Sequence, residues 1–154
     1  MKIVSGGQTG VDQMALRIAQ RHNIPTGGWA PKGWRTEFGA EPSLRTFGLV
    51  EHESGDYPGR TVANVQNSDG TVWFGGPDFG GYMSTRGACT HQRKPFFEVL
   101  DPSYLNRFVE WVRMSKIQTL NCAGPRYTRD MSGAAQNLCC VALTLLFTSE
   151  DTQP

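Results

Sequence analysis

The chain of 154 residues carries almost no excess of charge: 15 Lys and Arg oppose 14 Asp and Glu, for a net charge of +1. That balance removes any global attraction to nucleic acid or to an anionic lipid surface. The apolar tract Leu138 to Phe147 is far too short to span a bilayer. The N-terminus lacks a basic segment followed by an apolar run, so no signal peptide is expected. Four cysteines, Cys89, Cys122, Cys139 and Cys140, include no C-x-x-C pair, and His22, His52 and His91 share no spacing with them. No metal site of the usual ligand spacing is therefore expected. Buried free thiols in a reducing compartment are the better reading, and with them a cytoplasmic protein.

What the chain has in quantity is glycine: 18 of them, with nine prolines, dispersed along an otherwise ordinary composition of 38% hydrophobic residues. They point to many sharp turns rather than to a disordered tract. Met1 to Val4 reads as a short strand, and Ser5-Gly6-Gly7-Gln8-Thr9-Gly10 as a turn. Val11, Met14, Ala15, Ile18 and Ala19 then mark one face of a helix from about Thr9 to His22. Ile24 to Phe47 has little periodicity and reads as a long loop around at most a short strand. A helix is expected at Tyr57 to Gln66, a buried strand at Thr71 to Phe74, a second glycine turn at Gly75 to Gly81 and a helix from about Ser84 to Gln92. Pro95 to Leu100 reads as a strand. Asp101-Pro102 is a helix start, with an acid to cap and proline at the first helical position. Ile117 to Cys122 is a strand, Ala123 to Arg126 a third turn, and Met131 to Phe147 the last helix. Alternating strands and helices predict an α/β domain with a mainly parallel sheet. All three glycine turns then fall beyond the carboxyl ends of strands, where ligands sit in such sheets.

Glycine lets backbone N–H groups come close to a ligand, and a helix N-terminus adds unpaired donors and partial positive charge. Together these favour phosphate. Ser5, Thr9, Ser84 and Thr85 add hydroxyls, and Arg86 and Arg126 add cations. The first turn is not G-x-G-x-x-G and lacks the lysine of a P-loop, so close packing of strand on helix is the competing use of its glycines. Asp12 falls in the first turn of its helix, where it complements the dipole, receives ribose hydroxyls or handles a proton. The stretch Gly27 to Glu37 places Trp29, Lys32, Trp34, Arg35 and Glu37 in one loop. One reading is a lid: indoles stack on a base, Lys32 and Arg35 hold phosphates, and Glu37 contacts a sugar or acts as a base. The other is a loop pinned by its aromatics with solvated charges. Asp69, just before a strand, reads more readily as a turn residue.

In order along the chain, SGGQTGVDQMAL, GGWAPKGWRTE, RTVANVQNSDGTV, GGYMSTRGAC, RKP and NCAGPR resemble proteins called putative molybdenum carriers. These are also described as circularly permuted YpsA-like members of the SLOG superfamily. The resemblance runs from about Lys2 to Leu146. It implies a single Rossmann-like domain over 1–148 with a tail at 149–154. The implied ligand is a nucleotide or nucleotide-derived phosphate, or the molybdenum cofactor suggested by the family's name. Carried over by position, the site would use Gly6, Gly7, Gln8, Thr9, Gly10 and Asp12, with Lys32 and Arg35 from the loop. Asn64 and Asp69 would come from the middle, Gly81, Ser84 and Thr85 from the second turn, and Gly124 and Arg126 from the third. The chain departs from the family pattern at Gln13, Trp34, Gly59 and the Ser84-Thr85-Arg86 entry to the second turn.

Three functions compete. The first is a binding protein for a small phosphate-bearing ligand, as carrier, sensor or sponge. The second is a hydrolase of a nucleotide N-glycosidic bond, for which Asp12 and Glu37 are the candidate acids. The hydrolases of the superfamily that the chain resembles carry an acid downstream of the phosphate-binding turn; Thr85 to Thr90 offers none, which favours binding. The third, an interaction module, leaves the aromatic loop unexplained. Leu138, Val141, Ala142 and Leu145 on the last helix suit a homo-oligomer of two or more copies if exposed, and ordinary core packing if not.

Overall fold

Alternation of side chains along buried strands determines where each helix of this protein packs. The computed structural model describes residues 1–77 and 81–149. Strands β1 (Lys2–Val4), β2 (Thr26–Ala30), β5 (Leu49–Glu51), β6 (Gly70–Phe74), β7 (Phe96–Val99) and β8 (Thr119–Ala123) form one sheet in the order β5-β2-β1-β8-β6-β7. Every pair in it is parallel. A separate antiparallel pair joins β3 (Arg35–Thr36) to β4 (Gly39–Ala40). The helices are α1 (Val11–Arg21), α2 (Tyr57–Gln66), α3 (Gly81–Gln92), α4 (Leu105–Met114) and α5 (Ala134–Ser149).

Ile3, Val72, Phe74, Leu120 and Cys122 point to one face of the sheet. There they pack with Val11 and Ala15 of α1, Phe108 of α4, and Leu143 and Leu146 of α5. Trp73 lies between Val72 and Phe74 and therefore points the other way, edge-on to Tyr82 of α3 at 5.5 Å. On that side Val65 of α2 packs with Ala88 and Cys89 of α3. The adjacent strands β6 and β8, with Trp73 opposite Ala123, thus send their following helices to opposite faces. A crevice opens beyond their carboxyl ends, as it does at the switch point of other open α/β sheets.

The stretch read as a long loop, Ile24 to Phe47, holds a sheet strand, the β3–β4 hairpin and a 3-10 helix at Pro42–Phe47. β2 escapes the pattern because Gly27 and Gly28 interrupt it. Gly28 has φ +131° and a Cβ there would sit 2.2 Å from the Ser5 carbonyl oxygen, so only glycine lets β2 lie this close to β1. The helix expected at Tyr57 to Gln66 is observed with those bounds. At Asp101 the side chain accepts the Ser103 N–H at 2.8 Å, opening a 3-10 turn that leads into α4. The last helix begins at Ala134 rather than Met131. The Asp130 carboxylate takes the N–H groups of Ala135 and Gln136 at 3.0 and 2.9 Å and sets that start. Leu138 and Ala142 lie in the core, Leu145 packs against it and Val141 is exposed, so core packing uses most of that helix's apolar face. Of the expected tail, Ser149 ends α5 and 150–154 lie outside the described residues. All four cysteines are free thiols, three of them buried. Among the described residues no helix is long and apolar enough to cross a membrane.

Candidate functional site

The crevice between β6 and β8 is a cleft of about 350 Å³. Trp73, Ala123 and Gly124 line it from the strand ends, Gly81, Ser84 and Thr85 from the start of α3, and Tyr57, Pro58, Arg60 and Thr61 from the start of α2. Gln8 and Asp12 come from the first turn and α1, and Pro125, Arg126 and Arg129 from the third turn. Two helices therefore turn the positive ends of their dipoles toward one space. The part of the second glycine turn at 78–80 lies outside the described residues.

The first turn is built differently. Its anion-binding amides already hold a carboxylate of the protein. Asp12, 4% exposed, accepts the Gln8 N–H at 3.2 Å and that of Gly6. Arg60 Nη1 stands 3.4 Å from the same carboxylate. The guanidinium lies over Gly6, where a Cβ would fall 1.4 Å from Nη1. Burial pushes the Asp12 pKa up from 3.8 to about 6 against the pull of the Arg60 cation. Burial likewise lowers the pKa of Arg60, which Asp12 only partly offsets. The pair is desolvated more than it is compensated. Arg60 Nε and Gln8 Oε1 are buried without a hydrogen-bond partner.

The other glycines of the first and third turns serve close contact. Gly7 has φ +74°, and a Cβ would meet the Leu49 and Leu44 side chains at 2.8 and 2.9 Å. Gly10 has φ +84° and sits against the third turn, where a Cβ would meet Pro125 O at 2.6 Å and Tyr127 N at 2.7 Å. At Gly124 a Cβ would meet the Val11 side chain at 2.7 Å. Ser5 donates its hydroxyl to the Cys122 carbonyl at 3.1 Å and is fully buried.

Glu37 fastens the aromatic loop to the third turn. It accepts hydrogen bonds from the Thr9 and Thr128 hydroxyls and from the Thr128 N–H, and stands 3.6 Å from Arg126 Nε. Burial alone would raise its pKa, but those hydroxyl donors, the amide and the Arg126 cation hold it below the ordinary carboxylate value. The expected lid of stacked indoles is not what the structure shows. Trp34 is 7% exposed, packed with Leu16, Ala30, Leu44 and Leu49, with Arg45 over its ring at 5.3 Å. Trp29 meets His52 edge-on at 5.7 Å. Lys32 and Arg35 are exposed, and Arg35 Nη1 reaches the Gly55 carbonyl at 3.4 Å. Neither lines the cleft.

Of the remaining expected residues, buried Asn64 clamps β2 to α2. Its side chain accepts the Trp29 N–H at 2.8 Å and donates to the Trp29 carbonyl at 3.0 Å. Asp69 lies at the amino end of the sheet, opposite the cleft, and accepts the N–H groups of Gln118 and Thr119 at 3.0 and 2.8 Å. Arg86 lies outside the cleft, 2.9 Å from the Tyr82 hydroxyl and 3.9 Å from Glu98. The cleft thus gathers Gln8, Asp12, Gly81, Ser84, Thr85, Gly124 and Arg126 from the sequence reading. It adds Tyr57, Arg60, Thr61, Trp73 and Arg129, which that reading passed over. One signal for Arg60 was present: an arginine near the start of a helix opposes the macrodipole and needs a local reason. Among the described residues no group of three or more His, Cys, Asp or Glu could hold a metal ion.

A model of the circularly permutated YpsA SLOG family matches residues 3–144. The crystal structure of a "Putative molybdenum carrier protein" from Syntrophus aciditrophicus SB, at 1.45 Å resolution, is 36% identical to this chain. It superposes with a TM-score of 0.85, over 94% of this chain and 93% of that one. No curated protein matches. These likenesses support a ligand-binding role in the broad sense. With a parallel sheet, glycine turns at its carboxyl edge and a match over nearly its whole length, the chain belongs to the circularly permutated YpsA family of SLOG proteins.

Proposed function

We propose that this protein binds a phosphate-bearing ligand of the nucleotide class in the cleft between β6 and β8. The observation that carries this reading is convergence. Arg60, Arg126 and Arg129 meet the start of α3, with the Ser84 and Thr85 hydroxyls, around one cleft of about 350 Å³. Arg60 has one ion pair at 3.4 Å and an Nε without a partner, so it has donors to spare for an anion. Tyr57 and Pro58 supply apolar surface for a heteroaromatic ring. The phosphate belongs at the start of α3, because the first turn is occupied by Asp12.

Binding as carrier, sensor or sponge fits the acids better than turnover does. Asp12 is the one carboxylate among the described lining residues, and it is held by Gly6, Gln8 and Arg60. Glu37 is engaged by Thr9, Thr128 and Arg126. One observation favours a second reading as an N-glycosidase: an Asp12 pKa of about 6 suits a general acid. The molybdenum cofactor named by the family's reputation suits the cleft only through its organic part. The described lining offers no thiol or imidazole to a metal, whereas phosphate and pterin ring would meet the same arginines and the same apolar wall.

Calorimetric titration with nucleoside mono- and diphosphates and with molybdopterin tests this. One of these ligands should bind the wild type. Thr85→Val and Arg126→Ala should each weaken it about tenfold, with the melting temperature held. Affinities that both substitutions leave unchanged would contradict the site. Release of free base from a nucleoside monophosphate, stopped by Asp12→Asn, would establish the hydrolase instead.

A further inference from the structure

Gln8 completes only half of its hydrogen bonding. The residue is 7% exposed and lines the cleft. Its amide nitrogen donates to the Arg35 carbonyl at 2.9 Å, which fixes the amide's orientation. Its backbone N–H donates to Asp12. The side-chain oxygen, buried and held in place, receives nothing. A buried acceptor of this kind is costly to leave unpaired. Trp34 Nε1 is also unpaired, but it sits in the apolar cluster under the aromatic loop and does not line the cleft.

We infer that Gln8 Oε1 accepts a hydrogen bond from the ligand, so that the ligand carries an O–H or N–H donor in addition to its anionic group. This rests on the phosphate-ligand reading and narrows it. Arg60 Nε offers the complementary lack in the same cleft, a donor without an acceptor. A hydroxyl both donates and accepts, and a sugar phosphate brings hydroxyl and anion together. An amino group on the heterocycle would serve Gln8 alone. Gln8 is then a specificity-determining residue: it discriminates against ligands that match in charge and shape but lack the donor.

Four ligands of equal phosphate content decide the matter: adenosine 5′-monophosphate, its 2′-deoxy and 3′-deoxy forms, and purine riboside 5′-monophosphate. Each is titrated calorimetrically into the wild type and into Gln8→Leu. In the wild type, loss of the donor read by Gln8 should weaken binding about ten- to hundredfold. In Gln8→Leu the parent and that analogue should bind alike. Discrimination against a deoxy form identifies a sugar hydroxyl, and against the purine riboside an amino group. Equal affinity of all four for the wild type, or the same ratio in both proteins, overturns the inference. If Gln8→Leu fails to fold, the wild-type series alone decides. A parent ligand that binds, is weakened by Thr85→Val, and shows no donor discrimination sinks this inference and spares the phosphate site. A wild type that binds neither these four nor the diphosphates and molybdopterin of the wider titration removes both.

Discussion

The stretch after β1 and the stretch after β6 are both rich in glycine, and each precedes a helix, yet the two helix starts have different neighbours. Around Gly6, Gly7 and Gly10 the space a side chain would need is taken by Arg60, by Leu44 and Leu49, and by the backbone of the third turn. The amides of that turn hold the carboxylate of Asp12. In the second turn a Cβ at Gly75, with φ +98°, would meet the Ala135 Cβ at 3.0 Å, whereas among the described residues nothing lies within 4 Å of one at Gly76, and Gly81, Ser84 and Thr85 at the start of α3 line the cleft. The first turn is closed by the protein's own anion and cation, whereas the start of α3 borders a cleft. A glycine cluster at a strand–helix junction therefore marks close approach, and only the neighbouring side chains decide what approaches.

The sharpest way to break this comparison is to put a side chain in the closed turn. Gly10→Ala meets both a positive φ and immovable backbone, so stability should drop by about 3 kcal/mol and the melting temperature by about 6–12 °C. A melting curve like that of the wild type would mean that the turns are not packed as described.

A smaller effect follows from the buried acid. The folded protein holds the Asp12 proton up to about pH 6, whereas an unperturbed aspartate releases it near 3.8. Between these values the folded state binds more protons than the unfolded one, so Asp12 makes stability fall as pH rises from about 4 to 6, and level off above. The contribution is at most about 3 kcal/mol, from a separation of roughly two pH units at about 1.4 kcal/mol each. Urea denaturation across that range should show the fall as the difference between wild type and Asp12→Asn. A flat difference would place Asp12 in water rather than under Arg60. The smallest effect belongs to the second turn: Gly76→Ala should change stability by no more than about 0.5 kcal/mol in the same assay.

Much of this architecture could be read in the chain. α1 and α4 announce themselves by apolar spacing, α2 by its bounds, and β6 and β8 as buried strands between turns. β2 could not be read, because its second glycine answers to the Ser5 carbonyl, a partner more than twenty residues away. Trp34 looked like a stacking platform because sequence shows its neighbours, Lys32 and Arg35, and hides the leucines that enclose it. Asp69 was placed with the ligand by resemblance, and lies at the far end of the sheet because two strand amides need an acceptor there. Arg60 went unread because an arginine on a short helix looks solvated until the fold lays it over Gly6 and beside Asp12.

On the proposed reading an anion enters at the start of α3 and not at the first turn. A crystal structure with a bound nucleoside 5′-diphosphate tests it directly. Phosphate oxygens should lie at the start of α3 against the hydroxyls of Ser84 and Thr85, with Arg60 turned toward them and Asp12 still held by Gly6 and Gln8. Phosphate on the Gly6–Gly7 amides in place of Asp12, or against Lys32 and Arg35 on the outer loop, would contradict it.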